Sequence, residues 1–255
     1  MTDIAAAAEI LAAGMLMGEP YATGVDAVSL AEAFDIQDAV AERISDPLGG
    51  RGGWKIAWNV PHLMEKFAMP HPGMGRLFNN QIHHGDTDTR LSEYQSLMIE
   101  PEIVARLAAD IPPGQTYDTA NIAPFVAGFT VGFEVLDRRN SPDTATASGI
   151  LAQNVFNAGA VIGGKWTHVD DLDTARITTR LFDGDTVVAE GAGLAPQNPL
   201  EAVAFLANHF TGRGETMKAG EIVMCGSHTP LYPVTSHTKL SLSMGLLGEV
   251  SLRIS

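Results

Sequence analysis

The segment Met98-Ile99-Glu100-Pro101-Glu102-Ile103-Val104 decides the predictions for the fold and for the site. Residues i and i+2 of a strand point to the same face, so a strand here brings the carboxylates of Glu100 and Glu102 together. In a helix these two side chains would point roughly 200° apart, and Pro101 would be costly in a helix interior. We therefore predict a strand with two convergent carboxylates.

A second apolar run, Phe125 to Leu136, contains one further carboxylate, Glu134. A charge buried in such a run needs a partner. Two carboxylates that converge on one strand face repel each other unless a cation lies between them or one of them is protonated. Three oxygen ligands with no cysteine or histidine nearby in the sequence favour a hard ion, Mg²⁺ or Mn²⁺, over zinc. We therefore predict a metal site formed by Glu100, Glu102 and Glu134.

Two other interpretations stay open from these residues alone. A Glu-Pro-Glu sequence is also typical of a solvated surface turn. Glu134 in an apolar strand could pair with Arg138 or Arg139, which follow closely in the sequence.

Lys55 is a second candidate for chemistry, because it lies between Trp54 and Ile56 in a short apolar strand predicted from Trp54 to Trp58. A lysine ammonium is rarely buried. There it could bind an anionic oxygen or supply a proton. The alternative is a lysine on an edge strand whose charged end reaches solvent.

Helical signals dominate the start of the chain, and strand signals dominate the rest. Asp3 and Ser29 are typical caps of two N-terminal helices, and Asn198 begins a later helix. Asp183-Gly184 separates two apolar runs, which predicts a hairpin with a type I′ turn. The order of these elements predicts an α+β fold with a mostly antiparallel sheet.

We predict an N-terminal helical part over residues 1–75 and a β-rich core over residues 76–255, two parts that can count as one domain. The stretch Pro70 to Gly75, rich in proline and glycine, predicts a loop near this boundary.

Composition excludes some classes of protein. The 255 residues have a formal net charge of −14, which argues against nucleic-acid binding because phosphates require a basic surface. The sequence has no secretory signal pattern and no run of about 18 apolar residues. The single cysteine, Cys225, cannot form an internal disulfide. These features predict a cytoplasmic protein that does not bind membranes.

Seven short motifs, in order over nearly the whole chain, resemble the fumarylacetoacetate hydrolase superfamily. The resemblance is to its branch of 2-oxopent-4-enoate hydratases and 4-oxalocrotonate decarboxylases. The motifs are Trp54–Ile56, Ile99–Ile103, Gly132–Arg138, Asn157–Gly164, Ala202–Asn208, Ala219–Ser227 and Leu247–Ser251. Each motif alone is weak, but the ordered set is specific.

The resemblance implies a fumarylacetoacetase-like core folded back on itself, and a homo-oligomer. It implies a hydratase that acts on a 2-hydroxydienoate or 2-oxoalkenoate through a metal-bound enolate, with Glu100, Glu102 and Glu134 as metal ligands. Lys55 then reaches the substrate. A decarboxylase of the same branch, an acylpyruvate-type C–C hydrolase and an inactive structural homologue are the alternatives. A decarboxylase or hydratase of the same pathway is a further expected partner.

The substrate wall departs from the pattern of the branch. The usual Gly-Leu-Thr-Ser after the lysine is replaced by Ala57 to Val60, which makes Trp58 and Asn59 candidate substrate contacts. The usual Pro-Asp-Tyr-Gly segment has no aspartate here, and a Gly-Asp pair is replaced by His237-Thr238.

Two more substrate contacts are expected. Gly159 is one, because the segment Asn157-Ala158-Gly159 resembles the corresponding segment of the hydratases of 2-oxohept-4-ene-1,7-dioate. Ser227 is the other, and a hydroxyl that only closes a turn is the alternative for this residue. His83 and His84 could replace the missing aspartate, although such a pair is also typical of a solvated loop.

Overall fold

The structure, a computed structural model, describes residues 3–24 and 29–255. The helices are α1 (Ile4–Leu16), α2 (Leu30–Ser45), α3 (Pro61–Lys66), α4 (Thr119–Ile122), α5 (Ala147–Ala152) and α6 (Pro199–Gly212). The first strands are β1 (Arg51–Ala57), β2 (Gly73–Phe78), β3 (Ile82–His84), β4 (Thr87–Thr89), β5 (Leu97–Leu107), β6 (Val126–Asp137) and β7 (Asn157–Ile162). The remaining strands are β8 (Thr178–Asp183), β9 (Thr186–Ala192), β10 (Ile222–Ser227), β11 (Tyr232–Pro233), β12 (Thr238–Ser243) and β13 (Glu249–Ile254).

The predicted helix starts are confirmed by their capping hydrogen bonds. The Asp3 carboxylate accepts from the Ala6 N–H before α1. Ser29 Oγ accepts from the Glu32 N–H before α2, and the Asn198 side chain accepts from the Leu200 N–H before α6. Each cap satisfies an N–H group that the helix itself leaves free.

The strands form two sheets. The larger has the order β2-β1-β10-β5-β6-β7-β3, with β11 added beside β5, and the smaller has the order β4-β13-β12-β8-β9. Within the described residues, eight strand pairs are antiparallel and three are parallel. This confirms the predicted α+β class with a mixed, mostly antiparallel core.

The larger sheet is rolled, because β2 lies against β7 although four strands separate them in the sheet order. The inner face of the roll has its own apolar cluster of Leu77, Val104, Ala160, Ile162, Ile222 and Met224. The outer face joins the main core, to which the helices and the smaller sheet contribute, and includes Trp54 and Phe133. Because side chains alternate along a strand, Lys55, Glu102 and Glu134 lie on the inner face.

The stretch predicted as a loop around Pro70 to Gly75 is partly a buried strand, and this prediction was wrong from Gly73 onward. A Cβ at Gly73 would lie 2.8 Å from the Trp58 ring, and one at Gly75 would lie 2.8 Å from Asn154 Oδ1. Glycine is therefore required in β2 by close packing and not by a turn.

The predicted hairpin is confirmed as β8 and β9, but the turn residues are Gly184 and Asp185. Gly184 has a φ of 57° and Asp185 is not among the residues with positive φ, which is the pattern of a type II′ turn and not of type I′.

The boundary at residue 75 remains a prediction, since β1 and β2 both belong to the larger sheet and β2 spans that position. No helix in the two described ranges is long and apolar enough to cross a membrane.

Candidate metal centre

Pairing of β5 with β6 brings the three predicted carboxylates together. Glu100 of β5 lies opposite Glu134 of β6. Glu102 is two residues further along β5, opposite Gly132, and its side chain points to the same face as that of Glu100. One oxygen from each of Glu100, Glu102 and Glu134 lies within 4.8 Å of the others. Glu102 and Glu134 are fully buried, whereas Glu100 keeps partial exposure at the edge of the cluster. The surface-turn interpretation of Glu-Pro-Glu is therefore wrong.

Lys55, on β1, is also fully buried and joins this cluster. Its Nζ forms an ion pair with Glu134 Oε1 and donates a hydrogen bond of 2.8 Å to the backbone carbonyl of Val155. If all four groups are ionised, three carboxylates and one ammonium give −3 + 1 = −2. A divalent cation would balance this charge.

The hydrogen bonding of the carboxylates also fits a cation. Glu102 Oε2 accepts from the Gly226 N–H at 2.7 Å. Glu102 Oε1 and Glu134 Oε2 are buried and have no hydrogen-bond partner among the described residues. Buried polar atoms of this kind are rare unless an ion or water satisfies them. Oxygen donors of carboxylates are the ligands preferred by Mg²⁺ and similar hard ions.

Burial and mutual repulsion change the acidity of two carboxyl groups. Burial, reinforced by the charge of Glu134, raises the pKa of Glu100 to about 8, and the Lys55 ammonium opposes this shift. Burial and the charges of Glu134 and Glu100 raise the pKa of Glu102 well above its usual value, against the hydrogen bond from Gly226. A divalent ion bound between these groups would offset their mutual repulsion, and it would compete with protons for their oxygens.

The arginines proposed as alternative partners of Glu134 are engaged elsewhere. Arg138 lies 3.7 Å from the Asp143 carboxylate, and the Arg139 guanidinium donates to Gln153 Oε1 at 2.7 Å. The basic partner of Glu134 is Lys55, which comes from a distant strand.

Trp58 and Asn59 follow β1 directly, and Trp58 has a φ of 54°. The Trp58 ring stacks on Phe67 with centroids 4.4 Å apart. Asn59 Nδ2 is buried with no hydrogen-bond partner among the described residues. It packs so closely on Gly226, which donates to Glu102, that a side chain at Gly226 would clash with it. The Asn59 amide therefore lies close to the carboxylate cluster.

Gly159 and Ser227 lie on strands beside the cluster. Gly159 is paired with Val135, next to Glu134, and Ser227 is paired with Glu102. The Ser227 hydroxyl donates to the Thr229 carbonyl at 2.7 Å, so it closes a local turn. His83 and His84 are exposed on β3 and are not part of the group formed by the three glutamates.

Comparison with known proteins finds similar enzymes. No family model matches the chain. It is 24% identical over 210 residues to 2-oxo-hept-4-ene-1,7-dioate hydratase of Escherichia coli, which covers 79% of this chain and 78% of the relative. It is 26% identical to 2-keto-4-pentenoate hydratase 2 of Dechloromonas aromatica, over 96% of this chain and 95% of the relative.

Among solved structures, the fold matches 4-oxalocrotonate decarboxylase from Pseudomonas putida G7 complexed with magnesium and adipate. The TM-score is 0.90 at 23% identity, over 99% of this chain and 97% of that chain. A structure of the same decarboxylase with calcium and acetate has a TM-score of 0.87. The chain is therefore similar in sequence to hydratases, and in fold to a decarboxylase, of the branch that its motifs resemble. It has a fumarylacetoacetate hydrolase-like fold, and its identity to these proteins is only 23–26%.

Sequence reasoning missed two residues next to the candidate site, Asn154 and Val155. Both are buried and have positive φ, and the Val155 carbonyl contacts Lys55. The sequence carries no strong signal for them, because asparagine before valine predicts no left-handed turn. The nearest signal is the family motif that begins at Asn157.

If the carboxylate cluster holds a divalent ion, removing that ion is expected to lower the melting temperature of the protein. A ligand at a hundredfold excess over its dissociation constant stabilises the folded state by about 2.7 kcal/mol. For a chain of this size that corresponds to roughly 5–10 °C. Calorimetry with Mg²⁺ and with a chelator measures the shift, and elemental analysis confirms removal. An unchanged melting curve after confirmed removal would contradict a metal site in the cluster.

The affinity for Mg²⁺ is expected to rise with pH up to about 8. The raised pKa of Glu100 means that the folded protein without the ion holds this proton below pH 8, and ion binding must displace it. One displaced proton gives up to about a tenfold gain in affinity for each pH unit. Titration calorimetry at pH 6, 7 and 8 in two buffers measures affinity and proton release. Glu100→Gln should make the profile less steep, because one proton fewer is displaced, and a flat profile in the unmutated protein would contradict the prediction.

Proposed function

We propose that this protein is a metal-dependent hydro-lyase that hydrates a 2-hydroxydienoate, the tautomer of a 2-oxoalkenoate. One observation carries the proposal: three convergent carboxylates share the inner face of the roll with a fully buried lysine. The names of the relatives, both hydratases of such acids, support this choice of reaction.

In this proposal Glu100, Glu102 and Glu134 hold Mg²⁺ or Mn²⁺. When bound, the ion supplies Lewis-acid stabilisation of negative charge on the substrate. The carboxylates fix its place, and the buried setting strengthens each electrostatic contact because little water screens it.

Lys55 is the proposed catalytic residue. An ammonium has three N–H donors. Glu134 and the Val155 carbonyl accept two of them, which leaves the third for an oxygen of the substrate. That contact strengthens as negative charge develops on the oxygen, so it lowers the barrier and does not merely tighten binding. In the net reaction, the hydroxyl group of one water molecule is added to C4 of the dienoate and its hydrogen to C5. The proton of the 2-hydroxyl group is transferred to C3, which gives the 4-hydroxy-2-oxo acid.

The proposed substrate contacts are Trp58, Asn59, Gly159 and Ser227. The free Nδ2 of Asn59 is a donor for a substrate oxygen. The stacked rings of Trp58 and Phe67 supply an apolar wall. Ser227 contributes through its backbone in this proposal, since its hydroxyl is engaged with Thr229.

A direct assay tests the reaction. Purified protein with excess Mg²⁺ is mixed with 2-keto-4-pentenoate as its 2-hydroxydienoate tautomer, and with 2-oxo-hept-4-ene-1,7-dioate. Loss of the dienoate absorbance and formation of the 4-hydroxy-2-oxo acid are expected. No turnover of either acid with metal bound would contradict the hydratase proposal and favour an inactive homologue. Cleavage of an acylpyruvate would indicate a C–C hydrolase.

Decarboxylation is a second candidate, because the decarboxylase structure matches over nearly the whole of both chains. The same assay with 4-oxalocrotonate distinguishes the two reactions. Release of carbon dioxide without formation of a hydroxy acid would assign the protein to the decarboxylases.

We also propose a cytoplasmic homo-oligomer that can associate with a decarboxylase or hydratase of the same pathway. The resemblance of the motifs to the branch supports the homo-oligomer. Light scattering of the purified protein measures its mass, and a monomer would contradict the proposal.

A further inference from the structure

Residues Asn154, Val155 and Phe156 form a left-handed turn before β7. Their φ values are 55°, 50° and 59°. Each non-glycine residue in this conformation costs roughly 1–2 kcal/mol, and a β-branched valine is especially unusual there. Such backbone strain persists only where the surrounding structure holds it, and it is concentrated at functional sites.

The Asn154 side chain holds this turn against β2. Its Oδ1 accepts from the Arg76 N–H at 2.8 Å, and its Nδ2 donates to the Arg76 carbonyl at 2.9 Å. All of these groups are buried. A Cβ at Gly75 would lie 2.8 Å from Asn154 Oδ1 and 3.3 Å from the Asn154 carbonyl oxygen. The close approach of the turn to β2 therefore depends on Asn154 and on the absence of a side chain at Gly75.

The turn presents the Val155 carbonyl to Lys55. The two residues are 100 positions apart, and the hydrogen bond from Nζ to this carbonyl is 2.8 Å long. The stem of Lys55 also lies against Gly75, because a Cβ there would be 3.3 Å from Lys55 Cγ. The direction of the Val155 carbonyl depends on the left-handed backbone, since a right-handed conformation would rotate that peptide group.

We infer that Asn154 is a positioning residue for Lys55, acting through the strained turn and the Val155 carbonyl. Asn154 fixes the turn on β2, the turn fixes the carbonyl, and the carbonyl together with Glu134 fixes the ammonium. The effect on turnover rests on the proposed function. The effect on the position of Lys55 does not.

Asn154→Gly is the principal test, because glycine adopts positive φ readily and only the two side-chain hydrogen bonds are lost. Misplacing a catalytic group by about 1 Å can cost a hundredfold in rate. We expect kcat to fall roughly ten- to a hundredfold, with KM and Mg²⁺ affinity within about twofold of the unmutated protein.

Gln153→Ala is the matched control. Gln153 is equally buried, but its amide bonds to Arg139 and Ala22 and not to β2. It should lower the melting temperature without lowering kcat. Gly75→Ala is a second route, because a methyl group there would push against Asn154 Oδ1 at 2.8 Å, a closer approach than the 3.3 Å to Lys55 Cγ. It should lower kcat even if Asn154→Gly does not fold.

Crystal structures of the Mg²⁺-loaded proteins supply a readout independent of turnover. The contact between Lys55 Nζ and the Val155 carbonyl should persist in the unmutated protein and in Gln153→Ala, and should be lost in Asn154→Gly. Normal kcat in both Asn154→Gly and Gly75→Ala, or an unchanged Lys55 position in the Asn154→Gly crystals, would overturn the inference. If the unmutated protein turns over none of the acids, the proposed function fails, and the crystal structures still decide the positioning role.

Discussion

Glu102→Gln and Glu134→Gln are each expected to lower the affinity for Mg²⁺ by on the order of a hundredfold or more. Loss of a supporting partner around a ligand already costs about 10- to 100-fold, and these changes remove a charged ligand itself. The remaining two carboxylates cannot balance the ion as well, because the net charge of the four-residue cluster falls from −2 to −1.

The two variants should differ in stability when the metal is absent. Glu134→Gln leaves the buried Lys55 ammonium without its counterion, and breaking a buried ion pair costs roughly 3–5 kcal/mol. Glu102→Gln instead removes a buried carboxyl group whose ionisation is opposed by burial and by the neighbouring charges, so the metal-free variant should be at least as stable as the unmutated protein.

Titration calorimetry gives the affinities, and thermal unfolding in the presence of a chelator gives the stabilities. Glu190→Gln is the control, because Glu190 is exposed on β9 and pairs with Arg180. Unchanged Mg²⁺ affinity in both site variants would remove the metal assignment. Equal stability of the two variants without metal would contradict the burial of the Lys55–Glu134 pair.

Lys55→Met is expected to abolish most of the turnover while the Mg²⁺-loaded protein stays folded. A charged contact that strengthens with the developing enolate contributes on the order of 3 kcal/mol, which corresponds to a hundredfold or more in rate. Without metal this variant should be less stable, because Glu134 loses its partner in a buried setting. Added Mg²⁺ should restore that stability, since the ion neutralises the carboxylate.

Lys55→Arg should not restore turnover. The guanidinium is planar and larger, presents its donors in a different geometry and cannot give up a proton. The close approach of Gly75 to the stem of Lys55 leaves little room for it. Lys239→Met, at an exposed position of β12, is the control for the loss of one lysine charge. Near-normal turnover of either Lys55 variant would show that this ammonium is not part of the chemistry.

The sequence by itself determined which residues share a strand face. The two-residue period of β5 brings Glu100 and Glu102 to one side, and Pro101 makes a helix costly there. The caps at Asp3 and Ser29 were predictable for the same reason, since each depends on neighbours within three residues. Strand alternation and helix caps depend on residues only a few positions apart, so a short stretch of sequence is enough to predict them.

Only the tertiary structure decided which distant groups meet. Glu134 pairs with Lys55 and not with the nearer Arg138 or Arg139, because rolling of the sheet brings β1 and β6 to a common interior. The glycines of β2 indicated a loop, but this segment pairs with β1 as a strand, and the closeness of Asn154 and Trp58 leaves no room for larger side chains in it.

The left-handed turn at Asn154 had no sequence signal, since its backbone strain is offset by contacts with β2, a strand about 80 residues earlier. The alternative predicted for the Ser227 hydroxyl, a role in a local turn, is the one that the folded chain shows, with Thr229 as its partner. Spacing along the chain fixes the face on which a side chain lies. The partner that it finds there depends on packing between segments far apart in sequence, which a local pattern does not contain.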